Sequence, residues 1–267
     1  NHVVIDTTDF NSLTRYIKKV SPDAIFHLAS DAIVEVGQSN PYATFRNNIT
    51  SALNILEISR QEKIPRIIIA SSVHVYGNAP LPYREDVPAR PSRPYETSKT
   101  SVDLIAQSYA DTCGLPVLIP RFVNVYGPGD TNLTRIIPKT IHAIMNGDSP
   151  TLWGGDASRD YLYIDDVLHA YDVLGKVSDT KLGVNRIFNF ATGKAITAKR
   201  LIETIQILME SDIPVQKRIV GRKNELLRQS VDWSKVKHQL GWEPKVRLVE
   251  GLFLTINWYL TQKFPKS

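Results

Sequence analysis

Cysteine is almost missing: Cys113 stands alone among 267 residues. A single thiol excludes an internal disulfide and a thiolate metal set, and a reducing, cytoplasmic setting is expected. No glycine precedes Gly37. The opening segment therefore has no G-x-G-x-x-G loop, the device that lays a dinucleotide's pyrophosphate against bare backbone at a helix N-terminus. Long hydrophobic runs are also lacking. Stretches such as Ile67-Ile68-Ile69-Ala70 are strand-sized, well short of the roughly 20 residues of a membrane span, and no charged-then-apolar leader opens the chain. A soluble protein without membrane contact is expected. Neither sign of charge dominates, with 32 Lys and Arg against 27 Asp and Glu for a net +5. A mild excess spread along the chain suits a small anionic ligand, and neither a basic stripe nor an aromatic platform marks it for nucleic acid. No His, Asp or Glu spacing forms a metal site.

Hydrophobic residues make up 42% of the chain, enough for a substantial core. Short β-branched runs alternate with helical periodicity, the pattern of a parallel sheet wrapped by helices. Val3-Val4-Ile5 reads as a strand, followed by a helix with Phe10, Leu13, Ile17 and Val20 on one face. Ala24 to Ala29 is the next strand. Phe45, Ile49, Ala52, Leu53 and Leu56 mark a second helix before the strand from Arg66 to Ser71. A further helix opens at Pro94-Tyr95-Glu96-Thr97-Ser98-Lys99, buries Val102, Ile105, Ala106 and Tyr109, stops at Gly114 and Pro116, and leads into Val117-Leu118-Ile119. Beyond Asn124 the texture becomes loop-rich, with helices expected near 133–146, 165–175, 197–210 and 249–262. The expected division is a nucleotide-binding domain over 1–122, with 160–190 returning to it, and a smaller lobe over most of 123–267.

Tyr95 and Lys99 fall four apart on a helix, so both side chains can approach one ligand. A phenol near pKa 10 is a poor base at pH 7, and a nearby ammonium is expected to favour the phenolate. Ser72 ends the strand that precedes them, at the sheet edge where open parallel sheets bind ligands. Its hydroxyl can hold a substrate oxygen while the tyrosine handles the proton, or it can cap the next segment.

With these residues in view, the chain resembles the extended short-chain dehydrogenase/reductases that act on nucleotide sugars. His27-Leu28-Ala29-Ser30 looks like that family's strand-end motif, and Asn48 with Asn54-Ile55-Leu56-Glu57 looks like its following helix. Ser72, Tyr95 and Lys99 match its catalytic triad. Arg121-Phe122-Val123-Asn124-Val125-Tyr126-Gly127-Pro128, Arg159-Asp160-Tyr161 with Asp165-Asp166-Val167, and Leu240-Gly241-Trp242-x-Pro244 are similar to its later motifs. The resemblance implies a Rossmann-type, doubly wound α/β domain holding NAD, and a C-terminal lobe holding a nucleoside diphosphate sugar. By position, Asp6 and Thr7 would lie near the adenine, Leu28, Ala29 and Ser30 along the cofactor, and Asn48 behind that wall. Lys99 would bond the nicotinamide ribose as well as tune Tyr95, and Val123 would approach the nicotinamide. Asn124 and Arg135 would face the substrate, and Arg159 and Arg222 would clamp phosphate or nucleotide. Arg159 can instead pair with Asp160 or Asp166, Arg135 can belong to a helix cap, and Arg222 follows the family pattern only loosely. A homodimer is the family's expectation.

Two departures qualify the resemblance. Val3 to Asp6 looks like the family's third strand, so the first βαβ unit, on the order of 50 residues, is expected to be missing here. Val73 and His74 stand where the family's dehydratases place Asp and Glu, or Asp and Lys, directly after the catalytic hydroxyl. Valine cannot donate a proton, although His74 can. That loop favours 4-epimerase chemistry through transient oxidation at C4, whereas Arg135-Ile136-Ile137-Pro138 and Glu225-x-x-x-Gln229 look most like the CDP-glucose 4,6-dehydratases. A non-catalytic binding member of the fold is the rival from another class. Isothermal titration of the 267-residue chain with NAD is expected to give binding weaker than micromolar; micromolar or tighter affinity would contradict the role assigned to the glycine loop.

Overall fold

The computed structural model describes residues 2–153, 157–178, 186–218 and 228–262. Helix α1 (Phe10–Val20) starts where the Asp9 carboxylate accepts the Asn11 and Ser12 amides at 3.1 Å each, and ends at Ser21, whose φ of 44° is left-handed. It leads to β1 (Ile25–His27), the short α2 (Val34–Ser39) and the long α3 (Pro41–Gln61), where Pro41 occupies the first turn and Asn40 caps it. Then come β2 (Ile67–Ile69), β3 (Ser71–Ser72), a 3₁₀ turn over Val73–Tyr76, and α4 (Pro94–Cys113), which stops at Gly114 in the left-handed region. β4 (Val117–Phe122) and β5 (Asn124–Tyr126) follow, then α5 (Ile136–Met145), β6 (Thr151–Trp153), β7 (Ser158–Arg159), β8 (Tyr161–Tyr163) and α6 (Ile164–Lys176). The remainder is β9 (Ile187–Phe190), β10 (Ile196–Thr197), α7 (Ala198–Leu208), β11 (Gln216–Arg218), α8 (Ser234–Leu240) and α9 (Leu248–Thr261).

The main sheet is parallel throughout. β2 pairs with β1 on one side and β4 on the other, while β3 and β9 both pair with β4. Strand side chains alternate between faces, and here both faces are covered. Ile67 and Ile69 point into one core with Leu13, Ile17, Leu56, Ile58, Val102 and Ala106 of α1, α3 and α4. Ile68, between them, points into the other with Leu118, Phe188, Phe190, Leu174, Val236 and Trp242. Trp242 closes that second face, its indole N–H donating to the Asp166 carbonyl at 3.2 Å, and the Asp166 carboxylate accepts the Lys245 and Val246 amides. A third cluster joins α5, α7 and α9 through Ile141, Leu201, Ile205, Leu252 and Ile256. Among the described helices none is long and apolar enough to cross a membrane.

Three expectations change. Residues 3–5 form no strand, and Val4 is 87% exposed, because a β-branched run becomes a strand only where a neighbour completes its ladder. Val20 of α1 and Leu53 of α3 lie outside the buried faces that periodicity assigned them.

One polar cluster sits inside this apolar frame. The Arg121 guanidinium donates to both Asp103 oxygens at 2.8 Å, Ser71 Oγ donates to Asp103 Oδ2 at 2.8 Å, and Arg121 Nη1 donates to the Tyr76 hydroxyl, which donates onward to Asn189 Oδ1. Asp103→Ala leaves a buried guanidinium without its counter-ion and is expected to cost about 3–5 kcal/mol, measured as a lower urea midpoint. A loss below about 1 kcal/mol would show the pair to be dispensable.

Candidate active site

The start of α4 is set by Glu96, whose Oε2 accepts the Ser92 and Arg93 amides at 3.0 and 3.2 Å. That places Tyr95 in the first turn and Lys99 one turn later on the same face. Gly37 of α2 packs on this turn; a Cβ there would come within 3.3 Å of the Tyr95 amide nitrogen. Tyr95 and Lys99 are 8% and 6% exposed, yet both line a cavity of about 410 Å³. Ser72, extended at the end of β3, accepts the His74 amide at 3.2 Å and so caps the 3₁₀ turn, and its hydroxyl donates to the Phe122 carbonyl at 3.5 Å. The capping reading of this serine holds.

Burial governs the ionisation of these groups. It pushes the Tyr95 phenol above its ordinary value, with the Ser72 hydrogen bond and the Arg135 charge pulling the other way. It brings the Lys99 ammonium down to about 8, opposed by Asp103. Lys99 is not among the groups that shift the phenol. Its Nζ donates instead to the Ala70 carbonyl, at the break between β2 and β3. Separation along a helix fixes the face that two side chains share, not the atom each one bonds.

His74 lines the same cavity, its ring edge-on to Tyr95 with centroids 6.1 Å apart. So do Leu28, Ser30, Val123, Asn124 and Arg135. Asn124 Nδ2 donates to the Asp160 carbonyl and to Gln229 Oε1, and Arg135 Nη1 donates to Asp130 Oδ2 at 3.0 Å. Asp6, Thr7, Ala29 and Ser30 share a separate groove of about 350 Å³ with Arg46, and Ser30 belongs to both spaces. Asp6 is held below the usual carboxylate range by the Thr8 amide and hydroxyl, and Thr7 is tied to α3 through Ser51 and Asn54. Asn48 lies behind the wall, accepting the Asp31 amide at 2.6 Å and donating to Ser98 Oγ at 2.9 Å.

The remaining assignments fall elsewhere. Arg159, on β7, is not among the residues lining the cavity; its Nη1 donates to the Ser158 carbonyl. The Asp160 carboxylate is occupied by Thr192 and Gly193, and that of Asp166 by the 245–246 backbone. Arg222 lies outside the described residues. The sequence reading passed over Asp130, Tyr161 and Tyr171, which all line the cavity, and Glu96 behind it. The signals that could have found them are slight: Asp130 follows Gly127-Pro128-Gly129, and Glu96 is an acid in a first helical turn. Among the described residues no group of three or more His, Cys, Asp or Glu is placed to hold a metal ion.

Comparison with known proteins adds three findings. The model of the NAD dependent epimerase/dehydratase family matches residues 1–191. The UDP-glucuronate 4-epimerase of Thermodesulfobacterium geofontis is 30% identical over 261 residues, which cover 95% of this chain and 77% of that protein. Two solved structures superpose closely. The UDP-N-acetylglucosamine 4-epimerase from Methanobrevibacter ruminantium M1, in complex with UDP-N-acetylmuramic acid, gives a TM-score of 0.89 at 31% identity, covering 98% of this chain and 83% of that one. DesIV, a dTDP-glucose 4,6-dehydratase from Streptomyces venezuelae with NAD and TYD bound, gives 0.87 at 27% identity, with 96% and 78% coverage.

The lowered Lys99 pKa has a consequence for stability. Between about 8 and the ordinary value of 10.5 the unfolded chain binds a proton that the folded chain has released, so stability rises with pH across that window. Wild type is expected to gain stability relative to Lys99→Met as pH increases from 8 to 10.5, measured by thermal melts. A difference that stays flat would place the Lys99 pKa outside that window.

Proposed function

The chain belongs to the NAD-dependent epimerase/dehydratase family, and within it we propose that the protein acts on a nucleoside diphosphate hexose through transient oxidation at C4, with inversion at C4 as the outcome. The observation that carries this reading is the convergence of the Ser72 hydroxyl, the Tyr95 phenol and the Lys99 ammonium on one cavity. In this reading Tyr95 takes the proton of the C4 hydroxyl, and Ser72 holds that oxygen in place. Burial opposes the phenolate, and Ser72 and Arg135 favour it. The residues present fit the nicotinamide end of NAD: Lys99 to hold the ribose and Val123 to face the ring, with Leu28 and Ser30 along the wall that continues into the groove of Asp6, Thr7 and Ala29. NAD held by these residues would supply the hydride acceptor and donor for C4. Arg135 and Asn124 are assigned to the sugar diphosphate side.

Val73 supports epimerisation. It is fully buried in the core beneath the sheet and is not among the cavity-lining residues, so the position that dehydratases give to an acid faces apolar side chains. The second reading, 4,6-dehydration, is favoured by one observation, the imidazole of His74 in the cavity wall. We also assign the protein to the cytoplasm and to a homodimer formed through α3 and α4, whose outward faces carry exposed Leu53 and Leu104.

Tyr95→Phe is expected to lower turnover by roughly 10²–10⁴-fold while nucleotide-sugar binding persists. Proton NMR of the protein with NAD and UDP-, CDP-, dTDP- or GDP-glucose reads the reaction directly. An inverted C4 signal identifies the epimerase, a C6 methyl doublet identifies the dehydratase, and near-normal turnover by the variant would sink the role of Tyr95.

A further inference from the structure

Glu96 follows the phenol directly and is fully buried. Its Oε2 starts the helix, but Oε1 has no hydrogen-bond partner among the described residues. That oxygen lies 3.8 Å from His74 Nδ1, which is itself buried without a hydrogen-bond partner among them, and 3.8 Å from Arg93 Nε. An enclosed carboxylate oxygen is costly unless a donor or positive charge answers it. Burial pushes the Glu96 carboxyl up, yet it is held below its ordinary value, first by His74, then by the Ser92 amide and Arg93. The imidazole and the guanidinium thus both face this oxygen at 3.8 Å, and of the two only the imidazole also lines the cavity.

A carboxylate only accepts, so the ring nitrogen facing it carries the proton. With Nδ1 protonated toward Glu96, Nε2 is left as a bare lone pair on the ring edge away from the carboxylate, in a side chain that lines the cavity. We propose that Glu96 is a positioning residue that fixes His74 as the Nδ1–H tautomer, making its Nε2 a second base, distinct from Tyr95, for the hexose carbon next to C4. This rests on the C4 ketone of the function proposed above. At the ketone level the C–H bond at C3 or C5 is acidic. His74 Nε2 takes that proton, the C–H electron pair moves into an enolate conjugated with the C4 carbonyl, and the imidazolium charge is balanced by Glu96. Return of the proton to the same carbon restores the bond, and no further oxidant is consumed. Simple inversion at C4 needs none of this, whereas loss of water across C5 and C6 does.

The tautomer is read from two-bond ¹⁵N–¹H correlation spectra of the labelled protein, with His74→Phe supplying the assignment. The expected result is a proton on Nδ1 in the wild type, moving to Nε2 in Glu96→Leu. Glu96→Gln keeps an acceptor for the Ser92 and Arg93 amides and serves where the leucine variant fails to fold. Turnover of a nucleotide hexose in D₂O is expected to place deuterium at C3 or C5, with Glu96→Gln slowing that exchange roughly a hundredfold. A wild-type His74 protonated on Nε2 would overturn the proposal, as would turnover that leaves both carbons unlabelled. A His74 protonated on Nδ1 in a protein that converts no nucleotide hexose would retain the Glu96 assignment and remove the reaction proposed above.

Discussion

The bidentate contact between Arg121 and Asp103 is the interaction on which the geometry of the site depends. Hydrophobic burial presses α4 onto the sheet, but that force has no preferred direction along the helix axis. The guanidinium fork has one, because two parallel N–H···O bonds form only when Asp103 stands opposite the end of β4. Ser71 donates to the same carboxylate, so β3 and its next residue, Ser72, are held by the atoms that hold α4. Tyr95 and Lys99 lie on that helix. The distance between the hydroxyl of the sheet and the phenol of the helix is thus set by a buried ion pair one layer beneath both.

The break in the strand between β2 and β3 belongs to the same arrangement. The Ala70 amide bonds the His27 carbonyl of β1, while the Ala70 carbonyl accepts Lys99. A residue that divides its backbone bonds between a strand and a helix lysine interrupts the regular ladder and holds a buried amine at the cavity wall. Desolvation then does the rest. Tyr95, Lys99 and Glu96 are all removed from water within five residues of α4, and each is tuned by a specific neighbour, Ser72 with Arg135, Asp103, or His74.

His74 and Val73 divide the turn after Ser72 between two environments. The 3₁₀ turn capped by Ser72 sends Val73 into the core and leaves His74 at the cavity, so adjacent residues in sequence meet apolar side chains on one side and the phenol on the other. The chain is similar both to 4-epimerases and to a 4,6-dehydratase.

The sequence alone determined the alternation of strands and helices, the start of α4 at Pro94, its stop at Gly114, and the shared helix face of Tyr95 and Lys99. Those features are written in local signals: β-branched runs, a proline in a first turn, a glycine at a left-handed position and a four-residue spacing. Periodicity also placed Leu13, Ile17, Leu56 and Ile67 in the core correctly. It erred at residues 3–5, at Val20 and at Leu53, since ladder partners and the width of a buried face come from other elements. Only the tertiary structure decided that Lys99 bonds a backbone carbonyl, that Arg159 does not reach the cavity lining, and that Glu96 stands behind His74. Each of these depends on which atoms are enclosed together, and enclosure is a property of the packed chain that no spacing along the sequence encodes.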